Sequence, residues 1–164
     1  MLRRSARAPA PAATPQVSPV DGLAQLSFVI QEILERLAAE HDISMIQTRL
    51  LGVLRDREPT MNQLAKLLGL EKSSVTGLVD RAERRGLVAR VPSTIDGRAV
   101  LVSLTDQGRS LVSAVADRFE EEVSTILHRL PRRDREALSG LVAQLLVAHA
   151  ADRGVDLFAN LTPP

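Results

Sequence analysis

The 164-residue sequence predicts a mainly α fold of the α+β kind, in which helices surround one two-stranded hairpin. Two patterns carry the prediction. From Leu23 onward apolar residues recur at steps of three and four, the period of helices with one buried face. Between residues 87 and 104 the period drops to two on either side of an Asp-Gly turn, as in a hairpin. An apolar content of 45% is enough for a sizeable core.

Residues 1–20 read as a flexible arm, with Pro9, Pro11, Pro15 and Pro19 recurring among alanines and no apolar period. Arg3, Arg4 and Arg7 would let such an arm touch phosphates. Leu23, Leu26, Ile30, Leu34 and Leu37 predict a helix over about 21–40, within a dimerisation segment 21–42. Ile43, Ile46, Leu50 and Leu54 predict a second helix, expected to end near Arg57 because Pro59 disfavours helix at the residue before it. Thr60 and Gln63 have the capping-box spacing and open a short helix that Gly69 closes. The next helix starts near Glu71, carries Val75, Leu78, Val79 and Ala82 inward, and stops at Gly86, with Arg84 and Arg85 suited to its C-terminal dipole.

Leu87 to Val91 reads as a strand, and Ala99 to Leu104 as its partner with Val100, Val102 and Leu104 on one face. Pro92 predicts that the first strand ends there or lies on an edge. Thr105 is a suitable N-cap for a long helix reaching Leu130, and Pro131 separates it from a last helix over about 132–150. The expected organisation is an arm (1–20), a dimerisation helix (21–42), a DNA-binding domain (43–104) and C-terminal dimerisation helices with a tail (105–164).

Composition removes several function classes. The chain has no Cys, which excludes disulfides, thiolate zinc sites and thiol chemistry. Aromatic residues are 2%, too few for stacking single-stranded bases. Apolar stretches are broken short of a membrane span, and no apolar run follows the N-terminal arginines, so a cytoplasmic protein without a secretory signal is expected. No Ser–His–Asp context, phosphate loop or paired-carboxylate site stands out, so no enzyme and no cofactor are expected. His41, His128 and His149 are too dispersed to predict a metal site. Glu120, Glu121 and Glu122 read as a solvated helix face.

The net charge of +1 hides an uneven distribution. Residues 60–104 hold seven basic and four acidic groups, whereas residues 21–59 hold four basic and seven acidic ones. One basic face suited to a polyanion is therefore compatible with a nearly neutral chain.

Leu64, Ala65, Leu68, Gly69, Leu70, Val75 and Leu78 fill the positions of a helix-turn-helix, with Ala65 small where the second helix crosses and Gly69 at the turn. The outward face of that second helix offers Lys72, Ser73, Ser74, Thr76 and Gly77, suited to a helix N-terminus in a major groove. A hairpin directly after it makes the motif a winged helix-turn-helix. From Thr60 to Gly108 the sequence resembles the multiple antibiotic resistance regulator (MarR) family. The resemblance is carried by Leu64 to Gly69, Ser74-Val75-Thr76, Asp80-Arg81, Arg85-Gly86-Leu87-Val88, Asp96-Gly97-Arg98 and Leu104-Thr105-Asp106-Gln107-Gly108.

The resemblance implies a winged helix-turn-helix framed by a helical dimerisation region built from N- and C-terminal helices. It also implies a homodimeric regulator, commonly a repressor, on a palindromic operator in double-stranded DNA. Arg98 would reach the minor groove, Asp96 would brace it, and Arg81 would touch phosphate or pair with nearby acids. Arg84, Arg85 and Arg90 are expected as solvated charges or helix-end partners. Small effectors, often aromatic acids, release DNA in many relatives, and His41 and Arg49 are candidate pocket residues for the carboxylate. The competing reading is a helical module whose wing and second helix bind protein instead of DNA.

Overall fold

The computed structural model describes residues 16–93 and 99–152. Helix α1 spans Pro19–Ala39. It starts two residues earlier than the apolar period predicts, because the Ser18 hydroxyl accepts from the Asp21 amide and proline suits the first helical position. Helix α2, Met45–Leu54, opens on a capping box between Ser44 and Gln47. It stops at Leu54 and not near Arg57: Leu54 is the last buried residue on the helix, and no further turn gains packing.

Helix α3, Met61–Leu68, has the expected box: the Gln63 amide donates to Thr60 Oγ1 at 3.3 Å, and the Thr60 amide donates to Gln63 Oε1 at 2.8 Å. Gly69 follows at φ 67°, a left-handed position that glycine adopts without a Cβ clash. Helix α4 runs Lys72–Arg84, and Gly86 at φ 69° turns the chain into strand β1, Val88–Pro92. Strand β2, Val100–Leu104, pairs antiparallel with β1, Val88 opposite Leu104 and Pro92 opposite Val100.

The hairpin is sewn to the helices at its base, where the Val102 amide donates to the Pro59 carbonyl at 2.9 Å. Val102 and Leu104 are buried, but Val100 is exposed, because its end of the hairpin extends past the body of the domain. Ser103, on the opposite face, is buried as well. Helix α5, Asp106–Leu127, is capped by Thr105 as expected but ends three residues short of Leu130, and α6 covers Arg132–Asp152.

Two apolar clusters organise these elements. The larger joins Leu50, Leu64, Val75, Leu78, Val79, Val88 and Val102 with Ala38 and Ile43. The smaller joins Ile33 and Leu37 of α1 to Val115 of α5, and Leu111 packs against both clusters. The rest of α1 and nearly all of α6 remain uncovered. Leu23, Leu26, Phe28 and Val29 are exposed on α1, as are Leu141, Val142, Leu145, Leu146 and Val147 on α6. Among the described residues, no helix is long and apolar enough to cross a membrane.

Candidate nucleic-acid interface

Helix α4 divides cleanly. Val75, Leu78, Val79 and Ala82 are buried, which turns Lys72, Ser73, Ser74, Thr76 and Arg81 to the exposed side, with Gly77 half-buried among them. The Thr76 hydroxyl donates back to the Lys72 carbonyl at 2.9 Å. This side presents hydroxyls and cations together, the chemistry that base edges and phosphates accept from a helix.

Two acids within this helix, Asp80 and Glu83, would oppose a polyanion, and the tertiary structure pairs both with one cation. Arg90 of β1 donates to Asp80 Oδ1 at 2.6 Å and also bonds Glu83. Its guanidinium pKa is raised above the ordinary arginine value, first by the hydrogen bond to Asp80 and further by the charge of both carboxylates. The sequence reads Arg90 as a solvated charge or helix-end partner, and the structure places its guanidinium on these two helix carboxylates. The clamp fixes α4 against the wing root and cancels negative charge beside the groove-facing side. Arg90→Ala is expected to reduce duplex affinity roughly tenfold, since it leaves Asp80 and Glu83 uncompensated beside the phosphates in each subunit, and like charges set against each other oppose binding. Adding Asp80→Asn and Glu83→Gln to Arg90→Ala should recover most of the loss in a fluorescence anisotropy titration. No recovery would locate the effect in wing geometry alone.

The wing tip residues Asp96 and Arg98 lie outside the described residues. Its root is described up to Ser93, whose amide donates to the Ala99 carbonyl at 2.8 Å. Arg84 is exposed on α4. Arg85 does not serve the end of its own helix. It donates to the carbonyls of His41 at 3.0 Å and Asp42 at 2.5 Å, holding the α1–α2 turn against the end of α4.

A cavity of about 400 Å³ opens where α1, α2 and α5 meet. Leu34, Ile43, Met45, Leu51, Val112, Val115 and Phe119 line it with apolar surface, and Thr48, Arg49, Arg55 and Glu120 supply its polar groups. Of the two pocket candidates only Arg49 lines it. His41 sits in the α1–α2 turn, where its carbonyl serves Arg85, and is not part of the wall. Arg55 was missed by sequence reasoning, although Thr48, Gly52 and Arg55 recur at the spacing of one face of α2.

The acidic run on α5 is also more than a solvated face. Glu120 lines the cavity, Glu121 pairs with Arg118 at 2.8 Å, and Glu122 pairs with Arg36 of α1. His128 and His149 are exposed, and among the described residues no group of three His, Asp or Glu could hold a metal ion.

Residues 41–99 match the family model described as MarR family. The HTH-type transcriptional regulator PecS of Dickeya dadantii (strain 3937) is 26% identical over 127 residues, 75% of this chain and 76% of PecS. NadR in complex with 4-hydroxyphenylacetate is similar over 83% of this chain and 97% of its own, with 26% identity and a TM-score of 0.65. The S. aureus MepR–DNA complex shares the fold at 24% identity, covering 81% of this chain and 99% of MepR with a TM-score of 0.64. The helix-turn-helix, the hairpin sewn to it and the helices on either side form a fold shared with these structures, and over residues 41–99 the chain is similar to the MarR family and, over three quarters of its length, to a transcriptional regulator.

Proposed function

We propose that this DNA-binding regulator acts as a homodimer on a palindromic operator, as a repressor released by a small effector. The exposed side of α4 carries the reading: its hydroxyls and cations lie together, and Arg90 occupies Asp80 and Glu83, the two acids within the helix. Lys72, Ser73, Ser74, Thr76, Gly77 and Arg81 are the proposed major-groove residues, and Arg98 braced by Asp96 is the proposed minor-groove contact of the wing. The DNA-binding domain is assigned to 43–104, with dimerisation through 21–42 and 105–164 and an arm over 1–20. A cytoplasmic location follows from this role.

Exposed apolar residues of α1 and α6 support pairing. A second copy on those helices would bury an interface of roughly 2,000 Å² or more. Two-fold symmetry would set two recognition helices about one turn of duplex apart, which is why the operator is proposed to be palindromic. Light scattering at micromolar concentration is expected to give twice the 17.8 kDa chain mass. A folded monomer would overturn the dimer.

The cavity borders residues of both apolar clusters, with Leu111 in its wall packing on each, so a bound molecule would bear on the relation between α5 and the DNA-binding domain. Apolar walls with Arg49 and Arg55 fit a small aromatic acid. The test is selection of duplexes from a random pool by the purified protein, followed by a screen of small aromatic acids for release. Recovery of no common sequence would favour a protein-binding module instead.

A further inference from the structure

We infer that Arg81 reads a guanine in the major groove, with its guanidinium laid over Gly77 as a preset fork. The inference rests on the DNA-binding reading of α4 and assigns one of its contacts to a base. A Cβ on Gly77 would stand 3.5 Å from Arg81 Nη1, so the side chain lies back along the helix over the glycine. Helical side chains lean toward the N-terminus, and this one is directed to the end that carries Lys72, Ser73 and Ser74. In this motif the N-terminal part of the second helix meets base edges.

The neighbouring acids do not hold Arg81. Asp80 and Glu83 both bond Arg90, and among the described residues Arg81 has no ion-pair partner although it is exposed. Its five donors are therefore available, in a planar fork that matches O6 and N7 of guanine. Glycine at 77 has a steric purpose here. An alanine methyl would just touch the guanidinium, and any longer side chain would displace it and hold the helix away from the groove floor.

The experiment uses the full chain and the duplex it selects. Each guanine of one half-site is replaced in turn by 7-deazaguanine, which lacks N7, and binding is measured for wild type, Arg81→Ala and Arg81→Gln. One guanine is expected to give the wild type a loss of about tenfold or more. The same replacement should cost the two variants nothing further, at unchanged thermal stability. Arg81→Gln keeps the arm's length without its charge and serves if the alanine variant folds poorly. A loss that is uniform over all sequences, with a weaker salt dependence and the 7-deazaguanine penalty intact, would make Arg81 a phosphate contact and overturn the inference. So would a selected operator with no common guanine in its half-sites. A wild type that selects no duplex at all would instead overturn the DNA-binding reading, and the inference with it.

Discussion

Operator affinity is expected to fall about a thousandfold between 50 and 200 mM monovalent salt. Lys72 and Arg84 are exposed on α4, and Arg98 is the proposed wing cation. With two subunits these set six cations against the duplex, in its grooves or along their edges, and counterions condensed on the DNA are released on binding. The slope of log affinity against log salt should be about −5. Overall attraction does not produce this effect, since the whole chain carries only +1. The local balance produces it, because Arg90 has already paired the acids beside the recognition side. Anisotropy titrations of one fixed duplex across a salt series measure the slope directly. A flat response would remove the polyanion face, whatever the fold.

Gly108→Ala is expected to destabilise the chain by roughly 3 kcal/mol or more, at the severe end of overpacking. On local grounds the change should help, since alanine is favoured over glycine inside a helix by about 1 kcal/mol. Here the added Cβ would stand 1.9 Å from the Leu87 carbonyl oxygen and 3.0 Å from its carbon. That backbone has no freedom to retreat. The Leu87 carbonyl accepts from the Thr105 amide at 3.1 Å, and the Leu87 amide donates to the Ala82 carbonyl at 3.0 Å. Thr105 Oγ1 donates to the Gly86 carbonyl at 2.5 Å while accepting from the Gly108 amide at 3.0 Å. The end of α4 and the start of α5 thus cross with no room for a methyl group. A melting temperature lower by about 6–12 °C should follow. Gly140→Ala is the control, because its Cβ would meet nothing within 4 Å. Equal melting temperatures for wild type and Gly108→Ala would show that the crossing yields.

The difference between these two glycines was not legible in the sequence. Both lie inside predicted helices, and only the segment crossing Gly108 separates them. The same distinction runs through the site. Lys72, Ser73, Ser74, Thr76 and Arg81 could be assigned to the outward side of α4, because the burial of Val75, Leu78, Val79 and Ala82 follows from a period of 3.6. That Asp80 would be cancelled by a residue ten positions later, on a strand, could not. Arg49 was found as a cavity residue and Arg55 was not, and His41 was assigned to a wall it does not form.

Sequence alone determined the elements that depend on near neighbours: the capping box at Thr60 and Gln63, the left-handed turn at Gly69, the helix stop at Gly86, the cap at Thr105, and the change of period that marks the hairpin. Each is fixed by contacts within about four residues or by one backbone angle, so composition and spacing suffice to place it. Tertiary structure decided what depends on distant partners. Arg85 reaches carbonyls 43 and 44 residues away, Arg36 bonds a glutamate 86 residues away, and the cavity is formed from three helices brought together. Long side chains such as arginine can serve many partners equally well in an unfolded chain. Only packing of the two apolar clusters fixes which carboxylates and carbonyls fall within their reach.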